Sequence, residues 1–152
     1  MKSIVLIITF LIAGFAVIAQ DQKPEDVIKV STDKYDFGKV KQGVPVTTYF
    51  NITNKSGKTI FLENVTASCG CTTPEWSKEP IKAGASTKIK VGYNAAALNR
   101  FEKDVTIKIA GVQQPKVIKI TGDVLEPAAY ETYVKQKGSK KTKGKKTDTA
   151  KT

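Results

Sequence analysis

The sequence predicts an all-β protein, a single antiparallel sandwich of about seven strands, and three observations predict it. Apolar residues between about residues 20 and 125 recur with a period of two, the repeat of a strand with one buried face, and not with the longer repeat of a helix. Turn-forming clusters return every eight to twelve residues, the spacing of short strands. No run of ten or more residues in this stretch keeps a helical apolar stripe. Sheets with one apolar face must bury it, and two can bury theirs against each other. A small closed barrel has the same periodicity and stays open as the alternative.

The elements follow in order. Val27 to Val30 and Tyr35 to Val40 are the first strands, separated by Ser31-Thr32-Asp33. Val46 to Thr53 places Val46, Thr48, Phe50 and Ile52 on one face and Thr47, Tyr49 and Asn51 on the other, and the cluster from Asn54 to Lys58 then turns the chain. Thr59 to Ala67, carrying Ile60 and Leu62, forms the next strand. The clearest alternation runs from Ser86 to Tyr93, where Thr87, Ile89, Val91 and Tyr93 face inward between Lys88, Lys90 and Gly92. Val105 to Ile109 follows, and turns at Ala110-Gly111 and Gln114-Pro115 lead to Lys116 to Val124. In that last strand Ile118, Ile120 and Val124 point in, with Lys119, Thr121 and Asp123 out. Seven short strands in little more than a hundred residues is the count of an immunoglobulin-like sandwich. Pro45 and Pro115 stand at or just before strand starts, where a missing N–H costs least.

The termini differ in kind from this domain. Residues 1–19 carry Lys2, then an uncharged apolar run from Ile4 to Val17, then Val17-Ile18-Ala19 before Gln20. That is the layout of a cleavable secretory signal, and the run is shorter than the ~20 residues of a spanning helix. The expectation is an exported protein, periplasmic or extracellular, with residues 20–33 as a lead-in, 34–125 as the sandwich and 126–152 as a Lys-rich disordered tail. From residue 135 onward there are eight lysines against Asp148, and Ala150 is the one apolar residue after Val134. Such a segment cannot bury enough surface to offset chain entropy. Its lysines, among them Lys140, Lys141, Lys143, Lys145 and Lys146, are expected either to meet an anionic surface or to act as a solubilising terminus.

Charge and composition remove several function classes. The 152 residues carry a formal net charge of +11. Most of it lies in the tail, because Gln20 to Val134 holds sixteen basic and thirteen acidic residues. A nucleic-acid-binding domain would concentrate its positive charge on a folded face with aromatics interleaved, so no nucleic-acid partner is expected. There is no histidine, which excludes Ser-His-Asp and Cys-His triads, histidine zinc sites and any imidazole base. No catalytic residue, metal or cofactor is assigned, and the expected partner is an unidentified protein or other envelope component.

One loop carries chemistry. Cys69-Gly70-Cys71 interrupts the strand pattern before Thr72-Thr73-Pro74-Glu75-Trp76. In extended chain the two α-carbons would lie ~6.6 Å apart, near the upper limit for a disulfide, and Gly70 has the freedom to close that gap. The readings are a local disulfide that shapes the loop, a thiol-redox centre, a soft-metal site, or free thiols. Two thiolates suit Cu(I), whereas zinc would need further ligands such as Glu75 or Glu79. The sole tryptophan, Trp76, is either a loop plug against the core or an exposed binding aromatic.

A set of motifs in a fixed order adds to this. Tyr35-Asp-Phe-Gly-Lys-Val-Lys-Gln-Gly43, Thr48-Tyr-Phe-Asn-Ile-Thr-Asn54, Ser68-Cys-Gly-Cys-Thr72, Pro80-Ile-Lys-Ala-Gly84, Val91-Gly-Tyr93 and Ile120-Thr-Gly-Asp-Val124 together resemble the exported bacterial family called domain of unknown function fifteen seventy-three. The Ser-Cys-Gly-Cys-Thr segment and the Pro-Ile-x-x-Gly turn are the most specific parts. The resemblance implies an immunoglobulin-like sandwich related to ASH, major-sperm-protein and PapD-like modules, which act mostly as scaffolds or binding domains. Asn99-Arg100-Phe101 departs from it where a glycine often precedes the aromatic, and Ala110-Gly111 where Ser-Asn is common. The function expected is therefore a non-catalytic exported binding or scaffolding domain of the cell envelope. The alternative is a small thiol-redox or copper-handling protein acting through Cys69-Gly70-Cys71.

Overall fold

Eight strands, one more than the periodicity predicts, stack as two four-stranded sheets in a computed structural model that describes residues 22–143, with side chains through Gly138. Residues 1–21, which include the expected secretory signal, and the last nine residues lie outside the described residues. One sheet has the order β1 (Ile28–Val30), β3 (Val46–Asn54), β6 (Ser86–Tyr93), β5 (Thr72–Trp76). The other has the order β2 (Lys34–Lys41), β8 (Lys116–Leu125), β7 (Asn99–Ile109), β4 (Leu62–Ala67). A one-turn helix α1 (Pro24–Val27) precedes β1, and α2 (Pro127–Lys143) follows β8.

The alternating residues do what their period dictates. Phe50, Ile52, Ile89, Val91, Val105, Ile107, Ile109, Ile118 and Ile120 are buried between the sheets, where removal of apolar surface from water drives folding. Tyr93 stacks on Phe101 at 3.9 Å between ring centroids. Gly122 is required beneath that pair, because a Cβ there would come within 2.6 Å of the Phe101 ring.

Four expectations are corrected. The sandwich is not wholly antiparallel, since β2 pairs with β8 in parallel, with a register shift between Asp36 and Lys39. That pairing needs no long crossover of its own, as the whole chain between the two strands supplies it. Thr72 to Trp76, to which the periodicity assigns no strand, is a strand paired with β6 from Thr72 opposite Tyr93 to Trp76 opposite Ile89. Thr121 is buried at 1% exposure although it projects from the outer face. It sits opposite both Asp36 and Glu102, and the Lys34–Glu102 ion pair at 3.3 Å crosses β8 at that level. The expected disordered segment from residue 126 is helical from Pro127 to Lys143. Pro127 opens the helix with a fixed φ, and Lys41 Nζ meets Glu131 Oε1 at 2.7 Å to hold its first turns against β2.

The resemblance departures fall where the backbone is special. Asn99 has φ 80° and Gly111 has φ 78°. Asparagine is among the few non-glycine residues that enter this left-handed region readily, so it takes the conformation a glycine would supply.

Candidate functional site

Ser68 to Trp76 carries the chain from β4, an edge of one sheet, to β5, an edge of the other. The Ser68 N–H donates to Asp104 O at 3.0 Å, and Ser68 Oγ accepts the Asp104 N–H at 3.2 Å, which fastens the end of β4 to β7. Past the turn, the Asn94 N–H donates to Cys71 O at 3.0 Å and starts the β5–β6 ladder.

Between those anchors Cys69 and Cys71 form a disulfide with α-carbons 5.3 Å apart. The extended spacing closes through a tight turn in which the Thr72 N–H donates to Cys69 O at 3.2 Å. Gly70 contributes without a left-handed conformation, and a Cβ there would meet nothing within 4 Å. Both cysteines are half-buried, Cys71 packs on the core, and the buried Thr72 places Oγ1 at 3.7 Å from Cys69 Sγ and 3.9 Å from Cys71 Sγ. With the sulfurs bonded to each other, neither is a thiolate ligand. Among the described residues no group of three or more His, Cys, Asp or Glu side chains is placed to hold a metal ion. Glu75 turns instead to Lys90 on β6 at 3.0 Å.

Trp76 lies at the far end of β5, half-buried and packed against the core, with its indole N–H buried and without a hydrogen-bond partner. The plug reading fits this position and the exposed-aromatic reading does not. The exposed aromatics lie elsewhere: Tyr49 at 58% exposure, Phe61 at 47% and Tyr35 at 40%. Tyr49 was legible as outward from the alternation of β3, but nothing local distinguished Phe61.

The open edge of β5 is blunted. Cys71 turns its carbonyl toward β6, so Thr72 and Pro74 turn their backbone groups to the free side. There Pro74 has no N–H, and that of Thr72 is already taken by Cys69. A further strand would find few donors on this edge.

An eight-stranded two-sheet sandwich with a disulfide-closed crossover is an immunoglobulin-like fold. The chain belongs to the family described as Protein of unknown function (DUF1573), whose model matches residues 28–124. No curated protein matches the chain. Among solved structures it is similar to a protein of unknown function from Porphyromonas gingivalis, at 20% identity and TM-score 0.57, covering 64% of this chain and 46% of that one. It is similar to PapD-like domain 7 of human CEP192, at 7% identity and TM-score 0.57, covering 75% of this chain and 96% of that domain. The Vibrio cholerae VesB protease matches at 16% identity and TM-score 0.53, covering 65% of this chain and 32% of the protease. The chain thus spans under half of the Porphyromonas protein and about a third of VesB. These likenesses show the fold.

Proposed function

We propose that the protein is a non-catalytic exported binding or scaffolding domain of the cell envelope, periplasmic in the simplest case. The observation that carries this reading is the Cys69–Cys71 disulfide built into an immunoglobulin-like sandwich, because disulfides persist in oxidising compartments. The secretory layout of residues 1–19 and the likeness to a PapD-like domain support it. Exposed Tyr49 and Phe61 offer contact area of the type partners use. The lysines of the C-terminal segment, with Lys140, Lys141 and Lys143 carried on α2 and Lys145 and Lys146 beyond it, provide an auxiliary attraction to an anionic surface.

The test places a photo-crosslinking amino acid at Tyr49, Phe61 or Val134 in the source bacterium, and reads the mature N-terminus by mass. Expected are cleavage near Gln20 and a discrete adduct with another envelope component from at least one position. Retention of residues 1–19 would overturn the exported part of the reading. Absence of adducts at all three positions, with thiol oxidation or copper binding lost in the Cys69→Ser, Cys71→Ser variant, would make the redox or copper alternative the better account.

A further inference from the structure

The outer face of the β2–β8–β7 sheet carries α2, and the helix stands off it. Two adjoining cavities of 280 and 430 Å³ run beneath, sharing Gly38, Lys39 and Tyr133. The smaller is walled by Asp36, Arg100 and Asp123. The larger is walled by Phe37, Tyr130, Tyr133 and Val134. Together they make a groove with a charged lobe and an aromatic lobe, within the size range of ligand pockets.

The charges are not equivalent. Lys39 is paired with Asp123, Asp36 Oδ1 accepts the Gly38 N–H at 3.0 Å, and Lys137 Nζ lies 5.8 Å from the centre of the Tyr133 ring. Arg100, the only arginine of the sequence, has no ion pair or hydrogen bond among the described residues. An unpaired guanidinium presents a planar fork of donors matched to a carboxylate or a phosphate. Asp36 and Asp123 on the same wall disfavour a doubly charged phosphate and tolerate a single carboxylate. The aromatic lobe beside it calls for an apolar group on the same ligand.

We propose that the groove between α2 and β2 is a docking site for an acidic peptide segment of a partner protein. One carboxylate of the segment pairs with Arg100, and a neighbouring aromatic side chain enters between Phe37, Tyr130 and Tyr133. The lysines at positions 135 and 137 of α2 favour approach of an acidic segment. The inference rests on the reading of the chain as a binding domain and is independent of its cellular location.

The experiment titrates the full-length ¹⁵N-labelled protein with a short, terminally blocked peptide containing a Glu-Phe pair, followed by NMR. Expected are saturable shifts at the Gly38 and Gly122 amides and at the Arg100 side chain. Affinity falls at least about tenfold when Glu is replaced by Gln or Phe by Ala in the peptide, and likewise in Arg100→Gln and Tyr133→Ser protein. Both side chains lie away from the sandwich core, and unchanged spectra elsewhere show that the variants fold. Equal binding of the Gln peptide, undiminished binding by Arg100→Gln, or inorganic phosphate shifting the same amides as strongly overturns the proposal. Adducts from Tyr49 or Phe61 without any groove shifts would sink the groove while leaving the binding-domain reading in place.

Discussion

Asn54, at 1% exposure, is the most heavily committed polar side chain of the fold. Its Nδ2 donates to Lys58 O and Ile81 O, both at 2.8 Å, and its Oδ1 accepts the Ser56 N–H at 2.9 Å and the Ser56 hydroxyl at 2.7 Å. The residue that the sequence marks as a turn former thus ties the turn after β3 to the approach of β6. Replacing it with alanine removes all four of these hydrogen bonds from a buried position, with Ile81 O keeping only the Ile60 N–H and Lys58 O only the Ser56 hydroxyl, and about 2 to 3 kcal/mol of stability is expected to go. Urea unfolding of Asn54→Ala at constant slope measures this. A loss below about 0.5 kcal/mol would mean that water replaces the amide at no cost.

At the scale of elements, the β4–β5 crossover is held at both ends by hydrogen bonds before its disulfide is counted. The bridge encloses a single intervening residue, so it removes little unfolded-state entropy. The Cys69→Ser, Cys71→Ser protein is expected to fold with a loss of about 1.5 kcal/mol or less, read by chemical denaturation. Failure of the double variant to fold would show that the bridge organises the crossover instead of trimming it. The helix α2 is secured differently. Lys41 beside Glu131 holds that carboxyl below its ordinary value, and the pair is surface-exposed. Deleting residues 127–152 is expected to remove the helical far-UV signal while the sandwich still unfolds cooperatively. Loss of that cooperativity would assign α2 a part in the core.

Over the whole molecule the charged side chains form a lattice around the β2–β8–β7 sheet. Lys119 bridges Glu102 and Asp104 at 2.9 and 3.0 Å, and Lys116 bridges Glu25 and Asp33 at 3.0 and 2.9 Å. The hydrogen bond from Lys116 lowers the Glu25 pKa, and those from Lys119 and Lys34 lower that of Glu102, from a reference of 4.5. A lowered carboxylate pKa means that the unfolded chain binds more protons near that pH, so stability rises with pH there. The contribution is present above about pH 4.5 and is lost as pH falls through the folded values. The lysines report the opposite limit. Burial pulls Lys116 down, but hydrogen bonds to Asp33 and Glu25 leave it raised above 10.5, and Glu102 and Asp104 raise Lys119. Their stabilisation persists below about 10.5 and fades as pH rises through the folded values. Melting at low salt is expected to show a plateau between these limits and a drop toward pH 3 that added salt reduces. A midpoint unchanged from pH 7 to pH 3 would show that the lattice does not stabilise the fold.

Alternation in β3, β6 and β8 determined which residues enter the core, because a strand with one buried face writes that face into every second position. The cysteine spacing likewise limited the loop to few chemistries. What alternation could not carry is partner choice. The parallel seating of β2 on β8, the burial of Thr121 and the strand from Thr72 to Trp76 all depend on residues far away in the chain. The last of these was hidden because Pro74 and a glycine-containing turn read locally as loop, while an edge position accommodates the proline. The helix over the sheet was hidden by its composition, as a Lys-rich segment reads as unfolded until Lys41 and Phe37 of β2 are brought beside it. The sequence by itself determined the strands and the face that each buries, while the stacking of two sheets and not a closed barrel was settled by the tertiary structure. Only the tertiary structure decided where Arg100 stands, since Asp36, Arg100, Asp123 and Tyr133 are joined by folding and by no local pattern.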